Sequence, residues 1–594
     1  PTMRGALPVA VANLLARVTG MLREIVVSAV FGATAATDAL NAALRVPQLL
    51  RELLAEGSLQ NAFVPAFSEA QEKEGVEDAW RLANALLGVL LCVLGGATLV
   101  FLLGAPLWVK VVAAGFEPDK EALAATLTRW LAPFLAGLSL AGFAGAMLNV
   151  RGRFFVPALA GNVLNLLVIA GALLAPQFAR VTGQPPIVAV AVATTLSGFA
   201  QAALCWPALA REGYRVRPTL AGHPALKKML RWLGPAIVGI ATVQVNLLIE
   251  TQWASAYGDG TLTWLVLSFR LVQLPLAVVS GSVATAALAA LSAHHARGET
   301  DGFGDALARA LRANTLWVLP SAVGLGVLAE PLTRLFFERG AFGPADTAGT
   351  AAMLQMYAFA VFGICFHRVA VPVYYALGDP RTPMRLSVLA MLAKVPVILA
   401  LTRGLGLGAE ALPLSHALTV TGEGVALAWG FRGHLAGRGI LRHHAKVAVA
   451  CVALGGVAFA LRDQHVIVAC AGAGLVYLAL AAGLGLLERR DRLPPFLDAP
   501  SRAAMQAVAG GAAVADGVLH TPAGAWRLVA RDGALAFEPH AGDPLPAGRA
   551  SVAIVVRVGP LPSMRGLEVG GRVWHADGDV VVEGACAGPR IPVS

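Results

Sequence analysis

Three arginines stand where a bilayer-spanning segment would bury them: Arg17 and Arg23 in LLARVTGMLREIVV, and Arg270 in TWLVLSFRLVQL. A charged side chain at the centre of a membrane helix costs at least about 2.5 kcal/mol on insertion scales, so such residues face a bundle interior or a water-filled cavity. A guanidinium fork grips phosphate oxygens two at a time, and several forks on one cavity suit a phosphate or diphosphate. Arg17 and Glu24, seven residues apart, share a helical face, while Arg23 is turned about 100° from Glu24. Arginines near helix ends can instead snorkel to the headgroups. Arg17 is flanked by apolar residues on both sides, which predicts a cavity-facing position. Arg270 has no acidic neighbour in its own segment and needs one from elsewhere, either Glu24 or an anionic ligand.

A second charged stretch runs from Asp38 to Pro65. There Asp38, Arg45, Glu52 and Glu56 fall within roughly 40° of one another on a helical wheel, a charged stripe on an otherwise apolar helix. Pro47 interrupts the stripe, since it removes a backbone donor and can kink the helix. Further charges sit inside apolar segments: Glu250, Arg368, Lys394 and Glu423. Each could contact substrate, couple an ion or form a structural pair. For Glu250, ion coupling and pairing stand level; for Lys394 and Glu423, pairing or water exposure leads. Asp379 in YYALGDPRTP belongs to a turn, where a capping role leads.

The elements that must position these residues are membrane helices. Of 594 residues 57% are hydrophobic and 14% charged, against about 25% charged in soluble domains. The net charge of +10 would fit nucleic acid, but basic cytoplasmic loops give the same balance in a chain this apolar. Fourteen apolar segments are placed near 7–30, 38–62, 82–108, 126–149, 156–176, 187–209, 231–256, 262–290, 309–329, 350–376, 384–402, 411–431, 446–461 and 466–487. With the N-terminus inside, inner loops collect about 22 Lys and Arg against 8 outside, which puts both ends of the bundle in the cytoplasm. No cleavable signal pattern precedes the first segment.

The pattern Arg45-Val-Pro-Gln48-Leu recurs as Arg270-Leu-Val-Gln273-Leu, six segments later, each followed by a Gly-Ser pair. An even number of crossings gives two copies of the same orientation, hence two parallel lobes. The expected fold is an all-α polytopic membrane protein of about fourteen helices. Residues 1–222 and 223–440 would form the six-helix lobes and 441–490 two extra helices. From 491 to 594 short β-like runs alternate with Gly/Pro/Asp turns, which predicts a small soluble, cytoplasmic β-rich region or a loosely ordered tail of unassigned role. The six cysteines have no metal or redox spacing and are expected to be structural. No Walker motif, zinc helix or nucleophile elbow is present, so no enzyme is expected.

The runs RVTGMLREIVVSAVFGATAATDAL and RVPQLLRELLAEGSLQNAFVPAFSE resemble the MurJ/MviN family of bacterial lipid II flippases. LNVRGRFFVPALAGNVLN, LGPAIVGIATVQVNLLIETQWAS and YYALGDPRTP extend the resemblance over about residues 4–490. It implies the multidrug/oligosaccharidyl-lipid/polysaccharide exporter fold, with the two extra helices forming a groove for the lipid tail. It also implies transfer of the undecaprenyl-diphosphate-linked peptidoglycan precursor across the bacterial inner membrane by alternating access. Matched by motif, Arg17, Arg23 and Arg270 would engage the headgroup, with Glu24 orienting Arg23 and Arg270. Arg51 matches a required basic position, and Asp38 and Glu56 match acidic positions for gating or for holding the arginines. By the repeat, Arg45 is the counterpart of Arg270. Glu52 and Gln273 depart from charges found in relatives, so gate pairing can differ here. Glu250 and Asp379 sit near positions of a sodium site in part of the family, without the full ligand set. No cofactor is implied; coupling to membrane potential or a monovalent cation is open. The implied partners are lipid II, membrane lipids and cell-wall synthesis proteins, with no nucleic acid. Alternatives are export of another polyprenyl-linked glycan, a cation-coupled drug antiporter, or a non-transporting scaffold.

Overall fold

In the computed structural model of the chain, residues 3–51, 58–226, 229 and 244–487 are described, together with eight strands between 513 and 592. The chain forms two compact units, Pro1–Leu486 and Leu487–Ser594.

The first unit is helical. Its first half holds α1 (Met3–Phe31), α2 (Ala35–Arg51), α3 (Ser58–Lys73), α4 (Val76–Val112), α5 (Pro118–Leu131), α6 (Phe134–Val150), α7 (Phe155–Leu173), α8 (Ala175–Thr182) and α9 (Val188–Arg211). The second holds α10 (244–254), α11 (Thr261–Ala296), α12 (Thr300–Val327), α13 (Ala329–Phe337), α14 (Pro344–Ala376), α15 (Arg381–Leu399) and α16 (Ala411–Gly430). Last come α17 (Ile440–Ala460) and α18 (Val466–Gly483). Among the described residues eight helices are long and apolar enough to cross a membrane, or nine if α12 and α13, bent by 77°, count as one. Of the segment expected at 38–62, the described residues belong to α2, up to Arg51, and to α3, from Ser58. Glu52 and Glu56 lie outside the described residues. Prolines stand inside α2, α4, α9, α11, α12, α14 and α15. Membrane helices tolerate them because neighbouring helices and local π-turns satisfy the freed carbonyls. After Pro396, α15 does end in such a turn, Ala400–Gly404.

Packing divides the helices unevenly along their length. One buried core joins both halves, with Leu40 of α2 and Leu131 of α5 beside Leu262 of α11 and Tyr357 of α14. Two further cores are separate. One belongs to the first half (Phe63, Phe67, Leu86, Phe143) and the other to the second (Leu291, Phe303, Leu311, Phe431). Among the described residues the halves are therefore joined at one end of the bundle and have separate cores at the other.

Loop contacts complete the joined end. Ala341 donates its amide to Ala29 O at 2.7 Å, beside Gly340 at φ +62°. Gly260 has φ +86°, and a Cβ there would stand 2.6 Å from Ala33 O. Only glycine tolerates both the left-handed conformation and that approach. At the parted end, Tyr214 Oη and the Arg217 amide both donate to Asn84 Oδ1, at 2.8 and 2.7 Å, which straps the inter-half connection to α4. The last two helices lie on α12, and Tyr477 of α18 donates to the Leu316 carbonyl.

In the second unit, β1 (Ala513–Ala515), β2 (Val518–Thr521), β3 (Gly524–Arg531), β4 (Ala534–Pro539) and β8 (Ile591–Pro592) form one antiparallel sheet in the order β1-β2-β3-β4-β8. A second antiparallel sheet orders β5 (Ser551–Arg557), β7 (Asp579–Ala585) and β6 (Arg572–Ala576).

Candidate functional site

A chamber of about 460 Å³ lies between the halves, with Arg23, Arg45 and Arg270 in its wall. Arg23 reaches it from α1 because α1 is stitched to α7. Asn165 donates to Thr19 Oγ1 at 3.0 Å and to Ala16 O at 3.2 Å, and its own oxygen accepts from Arg23 Nη1 at 3.2 Å. Asn162, one turn away, repeats the stitch to the Ala12 carbonyl at 3.2 Å. Glu24 Oε1 then takes Arg23 Nη2 at 2.5 Å and Arg270 Nε at 3.2 Å. One carboxylate oxygen thus couples an arginine from each half, and Gln273 Oε1 accepts from Arg270 Nη1 at 3.5 Å.

Arg45, on α2, opens onto the same chamber and donates to Thr251 Oγ1 at 2.9 Å. The residue before Thr251, Glu250, is 2% exposed and lines the chamber as well. Its Oε1 accepts from Lys394 of α15 and from His416 Nδ1 of α16, the latter at 3.0 Å. Its Oε2 accepts from Tyr357 of α14 at 3.3 Å. A buried carboxylate is tolerable only when paired and hydrogen-bonded, and Glu250 is both. Among the described residues four cations (Arg23, Arg45, Arg270, Lys394) therefore stand with two carboxylates (Glu24, Glu250) in and just behind the wall. That excess of two positive charges fits an anion in the chamber better than a cation.

The stripe read along 38–56 comes apart in three dimensions. Asp38 is 1% exposed and does not face the chamber or hold an arginine. It sits at the joined end as a cap on α11: Oδ1 accepts from the Thr263 amide and hydroxyl at 2.8 and 2.7 Å, Oδ2 from the Gly260 amide at 2.9 Å. Lys120 Nζ, itself 8% exposed, closes the set at 2.8 Å from Oδ2 and also reaches Asp259 at 2.9 Å. Asp38 and Arg45, the members of the stripe among the described residues, stand two turns apart and belong to different layers of the bundle. Pro47 is buried inside α2, and Arg51 ends that helix.

The remaining candidates are dispersed. Arg17 is exposed on α1 and is not part of the chamber wall. Arg368 is exposed on α14. Glu423 accepts from Ser387 Oγ at 2.5 Å and lies 3.1 Å from His367 Nε2. Asp379 caps the start of α15, accepting from Thr382 Oγ1 at 2.6 Å and from the Arg381 and Thr382 amides, both at 3.2 Å. The Thr382 hydroxyl in particular holds the Asp379 carboxyl below its ordinary value. Asp379 and Glu250 share no partner among the described residues. Among the described residues no cluster of three His, Cys, Asp or Glu could hold a metal ion, and Cys92, Cys205, Cys365, Cys451 and Cys470 are free thiols.

Asn165, Lys120, Tyr357 and His416 were not legible as site residues. For Asn165 a signal existed: Asn162 and Asn165 are three apart on an apolar helix, a spacing that puts both on one face. A second cavity, about 840 Å³, lies between α3, α4 and residues 217–225. There Asp78 pairs with Arg81 at 2.6 Å and stands 3.2 Å from His223.

The geometry can be set beside known proteins. The profile of the family described as lipid II flippase MurJ matches residues 27–469. A lipid II flippase MurJ of Burkholderia cenocepacia is 32% identical over 422 residues, covering 68% of this chain and 81% of that protein. A probable lipid II flippase MurJ of Bdellovibrio bacteriovorus is 31% identical over 487 residues, 80% of this chain and 91% of its own length. Among solved structures, an inward closed conformation of lipid II flippase MurJ superposes with TM-score 0.69 at 21% identity, over 80% of this chain and 98% of that one. An inward-facing MATE family multidrug transporter of the MOP superfamily gives TM-score 0.61 at 15% identity, over 73% and 98%. These two establish a shared fold, and the profile and the relatives carry the assignment: the chain belongs to the MurJ lipid II flippase family.

Proposed function

We infer that the chain is a transporter, not an enzyme. It flips the undecaprenyl-diphosphate-linked peptidoglycan precursor, lipid II, from the inner to the outer leaflet of the bacterial cytoplasmic membrane for cell-wall synthesis. The observation that carries this reading is the Arg23–Glu24–Arg270 group, in which each half supplies a guanidinium to one chamber wall. A diphosphate takes two such forks at once. Carrying it and its sugars unaided across about 30 Å of hydrocarbon is prohibitive, whereas leaving the prenyl tail in lipid costs little.

The architecture proposed is fourteen spans, six in each of two parallel lobes (1–222 and 223–440), two more over 441–490, and a small β-rich cytoplasmic region after 491. The basic residues gather at the parted end, which supports placing that end in the cytoplasm. On this reading the chamber is closed toward the outside by the Asp38 cap and the loops around Gly260 and Gly340. Arg51, at the inner end of α2, and Glu56 act in gating, Pro47 is the hinge of α2, and the cycle draws on membrane potential or a monovalent cation.

The test is complementation of a flippase-depleted strain together with leaflet-resolved accessibility of lipid II. R23A and R270A are expected to insert normally, fail to complement, and leave lipid II accessible only from inside. Full complementation by both would overturn the assignment of the chamber.

A further inference from the structure

The two halves offer the chamber the same helix face. Residues 40, 41, 44, 45 and 48 of α2 line it, and so do 265, 266, 269, 270 and 273 of α11. The spacing is identical in the two sets and is that of one stripe along a helix. The repeat, Arg45 to Gln48 and Arg270 to Gln273, is the polar part they share. Asp38 and Thr263 are equivalent positions in this register, and Thr263 donates to Asp38 Oδ1. Both helices therefore leave one point at the joined end, and each carries its arginine seven residues, about 10 Å, along the chamber. What holds the two arginines differs. Arg270 is tied to Glu24 Oε1 at 3.2 Å and donates to Gln273 Oε1. Arg45 has no carboxylate partner among the described residues, and its one hydrogen bond there runs from Nε to Thr251 Oγ1. Thr251 spends its own hydrogen on the Leu247 carbonyl at 2.8 Å, so an oxygen lone pair is left to hold the guanidinium by its Nε edge. The Nη groups of Arg45 make no hydrogen bond among the described residues and belong to the chamber wall. Gln48, one turn further along the same face, has no side-chain partner there either.

We propose that Arg45 and Gln48 form a phosphoryl subsite of the chamber. One phosphoryl group of a diphosphate sits on the Arg45 fork and the Gln48 amide, and the other on the Arg23–Arg270 side. The proposal rests on the diphosphate reading of the chamber. It matches a ligand whose two phosphoryl groups are alike to two wall stripes that are alike. A guanidinium fork takes two oxygens of one phosphoryl group, and a neutral amide beside it adds a donor without adding charge. Of the two equivalent arginines, Arg45 is the one poised to receive the ligand, because Glu24 already answers Arg270. A guanidinium withdrawn from bulk water without a carboxylate is costly, and an anion seated on it removes that cost. The pair of subsites also selects. A diphosphate fills both, whereas a monophosphate fills one and leaves the other arginine as it was.

The test uses the full chain in detergent micelles and two probes that share a tail, geranylgeranyl diphosphate and geranylgeranyl monophosphate. The readout is the ratio of their dissociation constants, in which tail contacts and micelle partitioning cancel. R45Q should weaken the diphosphate by about 10- to 100-fold and the monophosphate by no more than about threefold, so that the preference collapses. R45K keeps the charge and loses the fork, and its ratio should lie between the two. Q48A removes a donor and no charge, so long-range attraction is untouched. It should weaken the diphosphate by about two- to tenfold and leave the monophosphate nearly as it was. Because the Gln48 side chain holds nothing among the described residues, Q48A reads the subsite even if R45Q does not fold. A native ratio in R45Q or in Q48A overturns the subsite and leaves the diphosphate reading standing on Arg23 and Arg270. A native chain that binds neither probe, or binds both equally, overturns both.

Discussion

If Lys120 is replaced by Met, the buried Asp38 carboxylate loses its only cationic partner among the described residues. It keeps three donors, the Gly260 amide and the amide and hydroxyl of Thr263. It also keeps the positive end of α11, whose first turn it caps. Breaking a buried pair by removing one partner costs about 3–5 kcal/mol, and the remaining donors put K120M at the lower end, about 3 kcal/mol. All of that falls on the conformation in which α2 and α11 meet. At 1.4 kcal/mol per factor of ten, the balance between closed and open forms should shift by about 10²-fold. D38N should act in the same sense. Every group aimed at Asp38 is a donor, and an amide turned either way opposes a main-chain N–H, costing about 1–3 kcal/mol. The D38A/K120M pair removes both charges and should cost less than the sum of the single changes. The assay is the rate at which a membrane-impermeant maleimide, added from outside, labels a cysteine at Leu44 in the chamber wall, with Cys92 and Cys470 changed to Ser. An unchanged rate in correctly inserted K120M, or strict additivity in the pair, would refute the idea that this carboxylate holds the outer end shut.

Three further outcomes are expected. N165A leaves Arg23 and Thr19 each short of a partner at the α1–α7 seam, so the melting temperature in detergent should fall by an amount matching about 1–3 kcal/mol. Complementation should weaken with it, because Arg23 is no longer aimed. E24Q keeps the shape but removes the charge between two guanidinium groups; it should insert normally and lose complementation, whereas E24D should retain part of it. Asp379 gives a pH signature. Because its folded carboxyl is held below the ordinary value of 3.8, its contribution is present above that value and is lost as pH falls through the lower folded value. The difference in melting temperature between the native chain and D379N should accordingly be constant from pH 5 to 7 and shrink below about pH 4; a difference that grows in acid would contradict the capping role.

Much of this was legible in the residues, for identifiable reasons. Arg270 in an apolar run demanded a partner, and the structure supplies Glu24. Glu24 itself stood out because a glutamate beside Arg23 has no reason to be there in a lipid-facing helix. Lys394 and Glu423 were read as paired or wet, and both are paired. What failed was inference along a single helix. The wheel angle that gathered Asp38 and Arg45 carries no information about depth, and the two residues serve different layers. Arg17 is exposed on α1 outside the chamber wall: apolar neighbours say that a segment is in the membrane, not which way each face points. His416 and Lys120 were missed because each acquires meaning only from elements more than twenty residues away, Glu250 and Lys394 for one, Asp38 and Asp259 for the other.

The arrangement of the three apolar cores has a pharmacological corollary. If the halves are to swing, the shared seam must come undone while the two separate cores find each other, so motion exchanges one greasy interface for another. The surfaces that cover the Phe63–Phe143 and Leu291–Phe431 cores would then be the landing zone of that swing. A rigid hydrophobic molecule lodged there would not compete with substrate at all. It would act as a doorstop, inhibiting at any lipid concentration, and resistance would map to the residues of those covering surfaces, not to the arginines.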